Sequence, residues 1–525
     1  MLQTCQPDIS PAEYCNYDIP AAAGSSGQEH AFRRGWRMAA GSLRFLLGVG
    51  AAVISAIAAA SSVAQTRVCQ PPQAMREGWK TSFVASCTDR NGKVAGGSQI
   101  IHLVTHKGKL YAANGFWKDA RNIWYGGSDP NAGWGQVLQL SGPNEPWVVD
   151  LDLGPRHLRT ELLKSVTFTQ DANARPLAAP DTLLLASTYD GPGTAGVTLF
   201  VRNDESGSWL RSKIISGNTG KKGEDNSVRA AAVYRDRVTG REQLFISVGV
   251  LGVFTGQYDP SRRGTFTWSQ APESGPTGTR TLSIAEANDS LFFSDGTRIL
   301  RRIDGQTPRY AVVVDLSNEI DAGTDRGSFQ SIGGIRGLSA IQGPVPNRQS
   351  LIFVWTSGKK SQGCVFRLDP QPDGSYARVR EACLADLVSR HLDNATVNFV
   401  LGAYNSFMPL RDPRSNELLH LIGMEAYVSG RTRITAHKMS SSSGGIYAGA
   451  MYALRDAQGR WRVGEANGKY HSSQPELVSI YTTAVSPFAE AGGRTIYVGG
   501  YDPNDFPSSD TAWVFSTDLA NLVAR

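Results

Sequence analysis

The chain has 525 residues, a formal net charge of +6, 41% hydrophobic and 19% charged residues, enough apolar material for a large core and too much for a disordered chain. No basic run exceeds pairs such as Lys221-Lys222 and Lys359-Lys360, so the mild positive balance lacks the stripe of a nucleic-acid binder. No Gly-x-Ser-x-Gly, Walker or dinucleotide fingerprint occurs, and no cofactor is expected.

Residues 1–37 read as a polar tail, with Met38 a natural start and the upstream segment then a mis-called one. Residues 38–64 read as a signal peptide. Arg33, Arg34 and Arg37 precede an apolar stretch at 43–60, and Ser62-Val63-Ala64 offers a small-x-small cleavage site. Retention as a membrane anchor and twin-arginine export are the alternatives. Cleavage leaves no stable membrane span and implies a periplasmic or secreted protein. The remaining cysteines, Cys69, Cys87, Cys364 and Cys383, are an even number in an exported chain and are expected as disulfides. Cys364 and Cys383 lie on successive strands of one repeat and face each other across a hairpin. Cys69 and Cys87 close a short N-terminal loop. Their spacing fits no paired C-x2-C zinc pattern, and no metal site is expected.

Residues 65–525 repeat one pattern. An apolar strand is followed by a second that ends in a charged turn, and then by a third. One copy is Leu291-Phe292-Phe293-Ser294-Asp295-Gly296, Ile299-Leu300-Arg301-Arg302-Ile303-Asp304-Gly305 and Tyr310-Ala311-Val312-Val313-Val314. Leu110-Tyr111, Leu183-Leu184, Leu244-Phe245, Leu291-Phe292, Leu351-Ile352, Leu418-Leu419 and Ile496-Tyr497 mark the recurring strand. Short strands at this spacing, with turn residues between them, predict an all-β chain: a single β-propeller of seven four-stranded blades. Helical periodicity is confined to a short segment within 384–401. The turn aspartates, as in Asp204, Asp304 and Asp369, read as turn formers rather than calcium ligands. The last repeat lacks an outer strand, and the segment from Trp79 to Val84 is the one that would supply it and close the ring.

In such repeats the second-to-third and repeat-to-repeat connections emerge on one face, and here they are the long ones. Long loops gathered on a rigid scaffold are the expected functional surface. They carry Trp117, Trp124 and Tyr125 in the first loop, Asp190, Arg326 with Arg336, Glu425 and Tyr427 with His437, His471, and Tyr501, Asp502 and Asp505. Aromatic planes beside carboxylates and arginines suit a sugar or another ring-bearing polar ligand. Asp502, Asp505 and His437 are the candidates for acid–base chemistry. His102 and His106, four apart on a strand, stand about 13 Å from each other and cannot share one metal ion.

The phrases Tyr189-Asp190-Gly191-Pro192-Gly193-Thr194, Gly252-Val253-Phe254-Thr255-Gly256 and Gly499-Gly500-Tyr501-Asp502 resemble those of uncharacterised exported bacterial β-propeller proteins. The resemblance covers most of the mature chain. It implies the architecture and brings no catalytic assignment. The expected function is binding of a small molecule, glycan or other cell-envelope component on the long-loop face. A hydrolase or lyase working there, or a scaffold for a cell-envelope protein, are the alternatives.

Overall fold

A computed structural model describes residues 67–75, 78–116, 133–154, 157–190, 195–221, 223–276, 279–319, 334–356, 363–402, 406–429, 445–466, 477–489, 494–502 and 510–524. Residues 67–525 form one compact unit. It is all-β apart from the helices Leu384–His391 and Leu519–Val523 and a few single 3-10 turns among the described residues. No described helix is long and apolar enough to cross a membrane. The leader readings at 1–64 lie outside the described residues.

The strands fall into consecutive antiparallel meanders. Sheet one is Gln99–His106, Lys109–Gly115, Gln136–Leu140 and Val148–Asp152. Sheet two is His157–Gln170, Pro176–Asp190, Val197–Asn203 and Ser208–Ile215, linked to sheet one through the single register pair Arg159 and Gly115. Sheet three is Ala231–Arg235, Glu242–Val248, Gly252–Asp259 and Thr265–Trp268. Sheet four is Ile284–Ala287, Ser290–Asp295, Arg298–Ile303 and Arg309–Asp315. Sheet five is Gly334–Gln342, Gln349–Thr356, Cys364–Pro370 and Tyr376–Cys383. In sheet six the long strand Leu418–Ser429 pairs on one side with Thr396–Gly402 and Met408–Arg411. On its other side lie Gly445–Tyr447 and Met451–Arg455, and Trp461–Glu465 is outermost. Sheet seven runs Ser479–Val485, Thr495–Tyr501, Ala512–Asp518, and its fourth strand is Trp79–Val84 from the N-terminal end, as expected. The short helical segment proves to be Leu384–His391. Leu401 belongs instead to the strand Thr396–Gly402, where β-branched Thr396, Val397 and Val400 favour extension.

Burial explains the composition of the strands. Each second strand is covered on both faces and reads as a continuous apolar run; Leu183, Leu184, Leu185 and Ala186 have no exposed surface. The fourth strands of sheets two to six are the least buried of their sheets, and Arg309–Asp315 has no buried residue. Alternate residues of a second strand serve different neighbours, as a period of two requires. Leu184 and Ala186 pack with Tyr111 and Val137 of sheet one, whereas Leu183 and Leu185 pack with Leu244 and Phe254 of sheet three. The same division recurs at each junction, and the last cluster joins Tyr497 and Val514 of sheet seven to Leu103 and Leu110 of sheet one.

Charge reinforces several junctions. Arg202 reaches Asp150 of sheet one at 2.8 Å, Arg302 reaches Asp236 at 2.6 Å and Glu273 at 2.7 Å in sheet three, and Arg455 reaches Glu381 of sheet five at 2.6 Å. The turn aspartates take part, since Asp204, Asp304 and Asp369 each pair with the arginine two residues before. The expected disulfides, Cys69–Cys87 and Cys364–Cys383, are both present, and the second joins directly opposed residues of adjacent strands.

His420 is buried beside Arg455 in sheet six. Burial first, and the Arg455 charge second, hold its pKa down to about 4. A folded value below the unfolded one stabilises the protein above pH 6.5, and that stability is lost as pH falls from there through 4. Comparing denaturant midpoints at pH 7 and pH 4.5 for the wild type and His420→Gln is expected to show a smaller acid loss in the variant, by at most about 3 kcal/mol. Equal acid losses in the two proteins would refute this account.

Candidate functional site

Each first strand starts at the end of its sheet where the long connections emerge, and each second strand finishes there. Chemistry-bearing residues collect at this end. Arg159 is the third residue of the first strand of sheet two. Arg336 holds the same place in sheet five, and Arg229 and Arg280 lie two and four residues before the first strands of sheets three and four. All four are buried. The first strands also bulge here, with register shifts at Ile100/His102, Thr160/Leu162, Arg336/Ser339, Val397/Phe399 and Ile480/Thr482. A bulge re-aims the extra side chain out of the ladder, and two of the residues so released are Glu161 and Tyr481.

Glu161 is the meeting point of the arginines. Its Oε2 lies 2.5 Å from Arg159 Nη2, and its Oε1 pairs with Arg229 Nε. His102 Nε2 is 2.8 Å from the Glu161 carbonyl oxygen. Burial pushes this carboxyl up, but the charges of Arg159, Arg229, Arg280 and His102 outweigh it, so the pKa is held below the usual value. The Arg159 guanidinium also lies over the Tyr189 ring, 4.9 Å from its centroid. Gly115 makes room for this side chain, because a Cβ there would come 2.0 Å from Arg159 Cγ. Gly115→Ala is therefore expected to cost about 3 kcal/mol through overpacking, read as a lower urea midpoint with an unchanged slope. A midpoint within error of the wild type would contradict the close approach.

Across sheets six and seven stands a second carboxyl in a different setting. Glu425 is buried on the second strand of sheet six, and its Oε2 accepts hydrogen bonds from the Tyr481 and Tyr501 hydroxyls at 2.8 Å each. The two hydroxyls are 3.3 Å apart, and the rings lie 5.2 Å apart. Burial pushes Glu425 up, and the hydrogen bonds from Tyr481, Tyr501 and Ser479 and the Arg336 charge offset this only in part. The site thus holds one carboxyl kept ionised and one pushed towards its neutral form.

Of the residues singled out in the sequence, Arg336, Glu425, Tyr501 and Asp502 are buried at this end. Glu425 and Tyr427 belong to the strand Leu418–Ser429 rather than to the loop after it, and the Tyr427 ring packs edge-on against Tyr447 at 5.0 Å. Asp190 closes the second strand of sheet two, opposite His157 in register. Trp117, Trp124, Tyr125, Arg326, His437, His471 and Asp505 lie outside the described residues. His106 stands at the other end of its strand, 2.9 Å from Ser165 Oγ and within 3.2 Å of the Asp204 carboxylate. Among the described residues no group of three or more His, Cys, Asp or Glu converges as metal ligands.

Sequence reasoning missed Arg159, Glu161, Arg229, Arg280 and Tyr481. A signal for the arginines existed: Leu158-Arg159-Thr160, Val228-Arg229-Ala230, Thr279-Arg280-Thr281 and Ile335-Arg336-Gly337 put one Arg ahead of the recurring strand in four successive repeats. Glu161 and Tyr481 had none, because a bulge is a departure from the alternation that a pattern search follows.

No protein-family model and no curated protein sequence matches the chain. Solved structures similar to it include a protein of unknown function from Dyadobacter fermentans, at 10% identity and a TM-score of 0.34, covering 80% of this chain and 95% of the other. The Aleuria aurantia lectin crystallised with a fucosyl disaccharide is 12% identical with a TM-score of 0.31, covering 72% and 98%. A Xanthomonas campestris gluconolactonase is 12% identical with a TM-score of 0.28, covering 70% and 97%.

Proposed function

We propose that the sheets are the seven blades of an exported β-propeller, and that the axial end bearing Arg336, Glu425, Tyr501 and Asp502 binds its ligand, a carbohydrate or another cell-envelope component. The observation that carries this reading is the meeting of buried ionisable side chains from different blades at one end of the axis. Burying such groups is costly, and a core built only for stability has no need to gather them where the long connections emerge. The two disulfides support export. The test is binding of the purified protein to glycan arrays and isolated envelope polysaccharide. Arg336→Gln and Tyr501→Phe should each weaken binding while the fold is retained. Undiminished binding in both variants would remove the site from this end.

A hydrolase reading is favoured by one observation, the opposite displacement of Glu161 and Glu425. Such a division equips the neutral carboxyl as proton donor and the ionised one as base or charge stabiliser. On this reading Glu425→Gln abolishes turnover of a bound glycan and leaves binding intact. A glycan that is bound and never cleaved by the wild type decides for a binding protein.

A further inference from the structure

The arginines point to the chemistry of the ligand. Four consecutive sheets each place one guanidinium within or a few residues before the start of the first strand, and all four are buried. A guanidinium fork matches the geometry of carboxylate and phosphate oxygens. The site contains a worked example of that match, because Glu161 is itself a carboxylate gripped by Arg159 and Arg229. Arg280 and Arg336 extend the cationic arc beyond Glu161 to the neighbourhood of Glu425, whose charge is suppressed there. The field is strong enough to keep Glu161 ionised in spite of full burial.

A separate observation follows the same strand inward. Lys164 lies on His157–Gln170, between Leu163 and Ser165, which both pack towards sheet one. Its side chain is exposed, and its ammonium has no carboxylate partner among the described residues. Desolvation by the surrounding protein pushes its pKa down. An amine without a counter-charge is one that an entering anion would stabilise.

We infer that the axial end takes an anionic group of its ligand, a carboxylate or a phosphate, among Arg159, Arg229, Arg280 and Arg336, with Lys164 further along the strand that carries Arg159. The inference rests on the reading of this end as the binding site and adds the charge of what binds there.

The probes are matched pairs: glucuronate against glucose, galacturonate against galactose, and glucose 6-phosphate and inorganic phosphate as the phosphate arm. Titration calorimetry on the purified full chain is expected to give at least about tenfold tighter binding for an acidic probe than for its neutral partner. Arg280→Gln should remove that advantage, and Lys164→Gln should reduce it. A preference between the uronates and the phosphates identifies which anion the site takes. Neutral sugars binding as well as acidic ones would overturn the inference and leave the binding site standing. Failure of every acidic probe at millimolar concentration would also overturn it, while the envelope polysaccharide test still decides whether this end binds at all.

Discussion

Replacing Glu161 by leucine is expected to destabilise the protein by about 3–5 kcal/mol, because Arg159 and Arg229 would stay buried without the carboxylate between them. Breaking one side of a buried ion pair costs more than the pair is worth, since the partner charge remains out of water. Glu161→Gln keeps the shape and one acceptor oxygen, and should fall between the leucine variant and the wild type. Replacing Glu161 and Arg229 together by leucine and methionine should cost less than the sum of the single changes. Denaturant melts of the wild type, the three single variants Glu161→Leu, Glu161→Gln and Arg229→Met, and the double variant measure this directly. A leucine variant within 1 kcal/mol of the wild type, a margin of about fivefold in the folding equilibrium, would mean that the arginines have another full counter-charge.

Trp79→Ala should be comparably severe, at about 3–5 kcal/mol, for a different reason. Trp79 is 1% exposed and packs in the cluster that contains Leu421, Tyr452, Phe515 and Leu522. It begins the strand that pairs with Ala512–Asp518, Trp79 opposite Thr517 and Val84 opposite Trp513. Losing the indole therefore loosens the closing strand as well as leaving a cavity. Hydrogen exchange is expected to rise first at Ala512–Asp518 and Thr495–Tyr501, while sheet four keeps its protection. A uniform rise over all sheets would show that the closing strand is not the part that yields.

The architecture was legible because the second strands are buried on both faces. Leu291-Phe292 and Leu351-Ile352 had to be apolar wherever they occurred, so the repeat survives in the sequence. The closing strand was legible by subtraction, since the last repeat has no outer strand of its own and Trp79–Val84 belongs to no other repeat. The site was legible where it used residue types that stand out near loops, as Arg336, Glu425 and Tyr501 do. It was illegible where chemistry and strand pattern coincide. Arg159 and Arg229 read as ordinary polar positions of a strand start, and Glu161 acquires its role only through the bulge that turns it out of the ladder. Glu425 was placed in a loop because the strand Leu418–Ser429 continues past the length typical of its neighbours; a change of partner, from Met408–Arg411 to Thr396–Gly402, carries it on to Ser429.

The closing of the ring also governs time. Thr517 donates from its hydroxyl to the Gly78 carbonyl across 439 residues of chain. A ribosome delivers Trp79–Val84 long before Ala512–Asp518. The early strand can pair locally with Gln73–Ala74, but its other edge must wait until Ala512–Asp518 has emerged. Hairpins of the intervening sheets can form locally, whereas the seam demands the longest loop closure in the molecule. Arrival of Ala512–Asp518 is thus the step on which closure waits, and a chain without that strand would be an open arc with unsatisfied edges.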